Sequence, residues 1–313
     1  MSILHGEMGR RGFLRTISSA TAATVVFGQV GPAAEESPSA MPTIQLGRHT
    51  ISRIVAGYNP TIGSSHSTLD LRRAMLEYFT LENTVAFLAS CEQNGITAWQ
   101  FDHAEKSVAA IRQRREQGTK MKFICLHAER QTDAPIRKVV EDTAPIAMVH
   151  HGWDTDARFR EGKQDRIRDY LKKIHDQGLL AGVSSHYPEH IRRIADENWE
   201  CDFFMCCFYC VFRTKEEQMK LMGRTIVHES YLENDPIEMT KVIREVKQPC
   251  LGFKILAAGR HCWSSPSINR AFKFAFSNIK AIDGVIVGMF PRYADEVAED
   301  AERARTFGAI RPS

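Results

Sequence analysis

Short apolar runs alternate with longer amphipathic stretches from position 51 to the end of the chain. Ile51 to Gly57, Ile96 to Asp102, Met121 to Leu126, Pro145 to Val149, Leu180 to Ser185, Asp202 to Phe212, Cys250 to Leu256 and Gly284 to Met289 read as strands. Between and after them, Leu81 to Asn94, Val108 to Gln117, Pro135 to Asp142, Gln164 to Gln177, Pro188 to Asn198, Pro236 to Lys247, Ile268 to Ile279 and Tyr293 to Phe307 carry helical spacing. Gly95, Gly118 and Gly178 stop three of these helices, and prolines open others. The strand runs are apolar almost throughout, as parallel strands covered on both faces should be. Strict alternation predicts a parallel sheet, and eight units at this length predict a closed (β/α)8 TIM barrel. An open doubly wound sheet is the competing topology, but no GxGxxG follows the first strand. The segment Thr61 to Thr80 is an insertion at the barrel mouth, a lid or a surface loop.

The first forty positions fall outside this pattern. Arg10-Arg11-Gly12-Phe13-Leu14-Arg15, a weakly apolar stretch from Ile17 to Val30 and the small residues Gly31 to Ala34 resemble a twin-arginine export signal. Residues 1–40 are therefore expected to be signal and linker, and 41–313 a single barrel domain. The twin-arginine translocase is an expected partner, and the periplasm or exterior the expected location.

Composition narrows the field further. A net charge of +3 without a Lys/Arg tract argues against a nucleic-acid partner, and no apolar run of the mature part is long enough to span a membrane. Most of the eight cysteines lie in apolar runs and are expected to be free thiols. Cys207 and Cys210 have redox-motif spacing, but alternation on a strand sends their sulfurs to opposite faces.

Candidate chemistry gathers at the strand ends. Asp102 and His103, His127 and Glu129, His150 and His151, His186, and Lys254 each close an apolar run. In a barrel, such positions converge on the C-terminal mouth, where active sites lie. Of the adjacent pair His150 and His151, only one can face the axis, and His150 is the expected one. Imidazoles and a carboxylate in one cleft suit a divalent metal (Zn, Mn, Fe or Ni), with Asp102, His127, His150 and His186 as expected ligands. Lys254, with Glu129, is expected to move protons or supply charge. Trp153, and the aromatics at the end of the run from Phe203 to Phe212, are candidates for a sugar platform.

Several segments together resemble the aldo-keto reductase superfamily, from about Leu46 to Phe307. They are Ile44-Gln45-Leu46-Gly47 with Ile51-Ser52-Arg53-Ile54, Phe101-Asp102-His103-Ala104-Glu105, Gly182-Val183-Ser184-Ser185-His186, Phe253-Lys254-Ile255-Leu256 and Val285-Ile286-Val287-Gly288-Met289. The resemblance implies the same barrel and an NADP-dependent carbonyl reductase. In that family an Asp, a Tyr, a Lys and a His act together. Asp102 and His150 match the Asp and the His, whereas His127 stands at the Lys position and Ser107 at the Tyr position. The resemblance further implies Ser185, Phe208 and Arg292 as contacts for the nicotinamide cofactor. With Tyr and Lys replaced, the first expectation is metal-dependent lyase, isomerase or hydrolase chemistry on a polar, carbohydrate-like small molecule. The alternatives are an NADP-dependent oxidoreductase, with His150 as acid, and a non-catalytic binding barrel.

Overall fold

The computed structural model describes residues 40–310, so the twin-arginine motif and its cleavage region lie outside the described residues. The chain begins with an antiparallel hairpin, β1 (Thr43–Leu46) and β2 (His49–Ser52). Eight parallel strands follow: β3 (Ile54–Gly57), β4 (Ala98–Asp102), β5 (Lys122–His127), β6 (Ala147–His150), β7 (Leu180–Ser185), β8 (Phe203–Cys207), β9 (Cys250–Phe253) and β10 (Gly284–Gly288). They pair in chain order, and β10 returns to β3 to close the cylinder. Helices intervene between successive strands and follow the last one, which makes the fold a (β/α)8 TIM barrel.

Side-chain alternation divides the barrel into two apolar layers. Val55, Ala98, Ile124, Val149, Met205 and Leu251 point inward and pack with Ile44, Leu46 and Ile51 of the hairpin, which stoppers the N-terminal end. Trp99, Phe101, Cys125, Met148, Phe204 and Cys206 point outward against the helices. Closure is reinforced at Arg53, the residue between β2 and β3. Its buried guanidinium donates to the carbonyls of Asp283, Gly308 and Lys280 at 2.9, 2.7 and 2.9 Å, tying the first barrel strand to the chain's last elements. The single run expected from Ile51 to Gly57 is two strands of different sheets, with Arg53 between them.

Three helices lack a signal in the hydrophobic pattern. Leu69–Tyr78 fills the insertion after β3, Gly152–Arg160 follows β6 directly, and Lys215–Met222 lies between β8 and β9. The strand expected over Asp202 to Phe212 ends at Cys207. Seven of the eight cysteines are buried, Cys262 is exposed, and all are free. No helix among the described residues is long and apolar enough to cross a membrane.

Candidate functional site

Strand register decides which expected residues reach the mouth. Asp102 pairs with Leu126, and His127 pairs with His150. Partners in register point the same way, so Asp102 faces inward while both histidines face the helices. His127 stacks on the buried ring of Tyr170 with centroids 5.8 Å apart, and His150 meets the same ring edge-on at 5.1 Å. His127 Nε2 lies 2.9 Å from the Ala134 carbonyl, and His150 Nδ1 lies 2.7 Å from Thr155 Oγ1. Burial pushes the His150 imidazole down to about 3, so it is neutral at ordinary pH. Both are packing residues of the helix layer. The axis-facing member of the His150-His151 pair is His151, in phase with the inner residue Val149.

The four expected metal ligands are therefore not gathered. Among the described residues, no group of three or more His, Cys, Asp and Glu side chains is arranged to hold a metal ion. The expected nicotinamide contacts are likewise engaged elsewhere. Ser185 Oγ donates to Asp156 at 2.6 Å on the helix side of β7. Phe208 is buried against Phe274 and lies so close to Gly252 that a Cβ there would sit 2.5 Å from its ring. Arg292 is bound to the Ala74 carbonyl and to Glu77, at 3.0 and 3.2 Å. These side chains do not fit a nicotinamide. Glu129 forms an exposed ion pair with Lys173 at 2.8 Å, and His103 is paired with Asp142 at 2.9 Å.

What does meet at the mouth forms three polar groups. The first surrounds Asp102. Arg130 lies 3.6 Å from Asp102, 2.9 Å from Asp133 and 3.9 Å from Asp154. Burial raises the Asp102 carboxyl, and the Arg130 charge opposes that rise. The nearby His151 Nδ1 and Asp154 Oδ2 are 3.4 Å apart, both buried and without a hydrogen-bond partner.

The second group is built on His186, just past β7. Its Nδ1 lies 2.8 Å from Asp156 Oδ2. Asp156 sits on the unforeseen helix Gly152–Arg160, is fully buried, and also meets Ser185 and His190 at 2.6 and 3.1 Å. Burial alone would raise this carboxyl, but the hydrogen bonds from His186 and His190 hold it below the usual range. A carboxylate at Nδ1 fixes the tautomer that leaves Nε2 as a base. No hydrogen bond engages Nε2 among the described residues. His186 and Cys207 contribute to the lining of a cavity of about 500 Å³ that extends between the helices after β7 and β8. The Gly152 backbone passes so close that a Cβ would stand 3.0 Å from the His186 ring. Phe212 covers the imidazole edge-on at 4.5 Å, and half-exposed Trp153 covers Phe212 at 4.6 Å.

The third group belongs to Lys254. Phe253 is in phase with the inner layer, so an extended Lys254 would turn outward. Instead it adopts φ +58°, and the turn continues through Ala257 and Ala258 at φ +49° each. Left-handed conformations at three non-glycine residues are strained, and such strain concentrates at functional sites. The Lys254 amine lies 2.8 Å from His66 Nε2, His66 Nδ1 lies 2.8 Å from Glu229, and the Tyr231 hydroxyl donates to Glu229 at 2.7 Å. Asn59 donates to the same His66 Nε2 at 3.1 Å. With Glu229 accepting from Nδ1, His66 is the tautomer whose Nε2 accepts from lysine. Burial alone would raise Glu229, but the bond from His66 and the Tyr231 and Lys254 contacts bring it to about 2. Burial lowers the Lys254 amine, with the Arg260 charge acting in the same direction and the Glu229 carboxylate opposing it.

Sequence reasoning reached Asp102, His186 and Lys254 but missed Asp156, His66, Glu229 and Tyr231. Asp156 lies in a helix without apolar periodicity. The others lie in long connections, where only the excess length of those connections marked them.

No protein-family model and no curated protein matches the chain. Among solved structures it is similar to a glycerol dehydrogenase from Gluconobacter oxydans, at TM-score 0.45 and 12% identity over 87% of this chain and 98% of that one. It is also similar to an aldo-keto reductase from Klebsiella pneumoniae solved with NADPH, at TM-score 0.48 and 12% identity over 85% and 90%. A 3-dehydroquinate dehydratase from Geobacillus kaustophilus aligns at TM-score 0.45 and 12% identity over 85% and 96%. At these identities and scores the likeness says nothing of the chain's chemistry.

Proposed function

We propose that this chain is an enzyme of lyase or isomerase type that moves a proton on a small polar substrate at the C-terminal mouth of the barrel. The observation that carries this reading is the pairing of His186 with Asp156, Nδ1 to Oδ2 at 2.8 Å, with Nε2 left without a protein partner. The buried carboxylate orients the ring and stabilises the imidazolium that forms when Nε2 takes a proton. Lys254, on a strand two places along the barrel, brings an amine to the same mouth, held 2.8 Å from His66 Nε2. Trp153 and Phe212 offer an apolar face beside His186, which suits the ring face of a carbohydrate-like molecule. Neither a resident metal nor a nicotinamide is part of this reading: His127 and His150 face the helix layer, which leaves the expected ligand set incomplete, and Ser185 and Phe208 are packed away from the mouth. The twin-arginine motif makes the expected place of work outside the cytoplasm.

The test is hydrogen–deuterium exchange. The protein is incubated in deuterated water with a panel of small hydroxy aldehydes and hydroxy ketones, and the carbon next to the carbonyl is followed by NMR. Exchange on at least one compound, lost in His186→Ala, is the expected result. Exchange that survives His186→Ala overturns the assignment of the base.

A further inference from the structure

The chain His66, Glu229 and Tyr231 is more than a charge needs. A lysine acting only as a cation is served by a carboxylate. Here its nitrogen meets an uncharged acceptor, the Nε2 of His66, with the carboxylate one residue further back. That order suits an amine that must give up a proton: Nε2 accepts it, and Glu229 stabilises the imidazolium. Tyr231 donates to the other Glu229 oxygen and holds the carboxylate in place, with its own ring 3.8 Å under the Arg260 guanidinium. Arg260 donates to the His66 carbonyl at 3.3 Å, which brings a second positive charge near the lysine and disfavours the ammonium form. Phe253, the residue before the lysine, has its ring 5.6 Å from that of His186, and the Lys254 charge acts on that imidazole, which puts base and amine on the same side of the mouth.

We propose that Lys254 is the nucleophile of the site and that the substrate is an aldehyde or ketone, bound as an imine. This rests on the proton-transfer reading of the mouth and gives its substrate class. The ammonium first yields a proton to His66 Nε2. The amine nitrogen then bonds to the carbonyl carbon, and the carbonyl oxygen takes a proton to give a carbinolamine. That proton comes from the nitrogen; the carbon–oxygen bond then breaks as the oxygen takes the second proton back from His66 and leaves as water, and the carbon–nitrogen double bond forms with one proton kept on nitrogen. No oxidant or reductant is needed. A protonated imine draws electrons from the neighbouring carbon, whose proton His186 Nε2 then removes.

The experiment uses the full chain with glycolaldehyde, dihydroxyacetone or pyruvate and sodium cyanoborohydride near neutral pH, followed by peptide mass mapping. The reagent reduces an imine to a stable secondary amine. Lys254 is expected to be labelled well ahead of every surface lysine by at least one carbonyl, since its amine is buried and held against His66 Nε2. Lys254→Met and Lys254→Arg should both lose that label, and His66→Gln should move its pH profile upward. Labelling of Lys254 no faster than of surface lysines by all three carbonyls overturns the proposal. So does an unshifted profile in folded His66→Gln. Labelling that persists while no carbon–deuterium exchange is found leaves the imine standing and overturns the proton-transfer reading instead.

Discussion

Lys254 Nζ and His66 Nε2 stand 2.8 Å apart although 188 positions separate them in the chain. The contact joins the insertion after β3 to the end of β9, so the insertion is part of the mouth. Its partner Glu229 gives the contact a pH signature. The folded carboxylate titrates at about 2 against 4.5 in the unfolded chain, so the folded state binds fewer protons between those values. The contribution to stability is fully present above about 4.5 and is lost as pH falls toward 2. At ~1.4 kcal/mol per unit it is on the order of 3 kcal/mol as an upper bound. Urea denaturation of Glu229→Gln should show a lower midpoint than wild type at pH 7 and a much smaller gap at pH 3. A gap that stays constant with pH would refute the assignment.

Asp156 is expected to serve both stability and turnover. Asp156→Asn keeps the shape but removes the charge that two imidazoles and a hydroxyl share. Removing one partner of a buried charged network costs roughly 3–5 kcal/mol. The loss of an oriented base should lower the exchange rate per folded molecule by about 10²–10⁴-fold. Thermal denaturation and NMR exchange on the same samples separate the two effects.

Tyr170 carries a buried hydroxyl with no hydrogen-bond partner, beneath His127 and His150. Tyr170→Phe removes an unsatisfied polar group and keeps the ring, so it should stabilise the fold by about 1 kcal/mol. Tyr170→Ala should destabilise it by roughly 3–5 kcal/mol. Calorimetry of the two variants is the check, and destabilisation by Tyr170→Phe would show that the hydroxyl has a partner.

The corrected roles of His127 and His150 lead to a further expectation. His150 titrates at about 3 in the fold and at 6.5 when unfolded, so its burial contributes stability that is present above 6.5 and declines as pH falls toward 3. His127→Ala and His150→Ala should lower the melting temperature while leaving exchange per folded molecule at the wild-type rate. A selective loss of turnover in either variant would return that residue to the site.

The barrel was legible because both of its periodicities are strong. Runs such as Phe123 to Leu126 and Ala181 to Val183 are covered on both faces, and helices such as Asp165–His175 bury one stripe. The site was half legible. Strand ends marked Asp102, His186 and Lys254, but sequence cannot tell at which residue a strand stops alternating. A shift of one position sends a side chain to the other face, and that alone separates inward Asp102 from outward His127. The reach of Lys254 depends on a left-handed turn that a lysine gives no reason to expect. His66 and Glu229 come from irregular segments, whose course is set by tertiary contacts rather than by pattern.

The hairpin of β1 and β2 packs Ile44, Leu46 and Ile51 into the floor of the cylinder. Side chains fill that end and the interior above it, which leaves the opposite rim to carry chemistry. Loosening the floor, as in Ile51→Ala, is therefore expected to weaken the fold while each folded molecule keeps its rate.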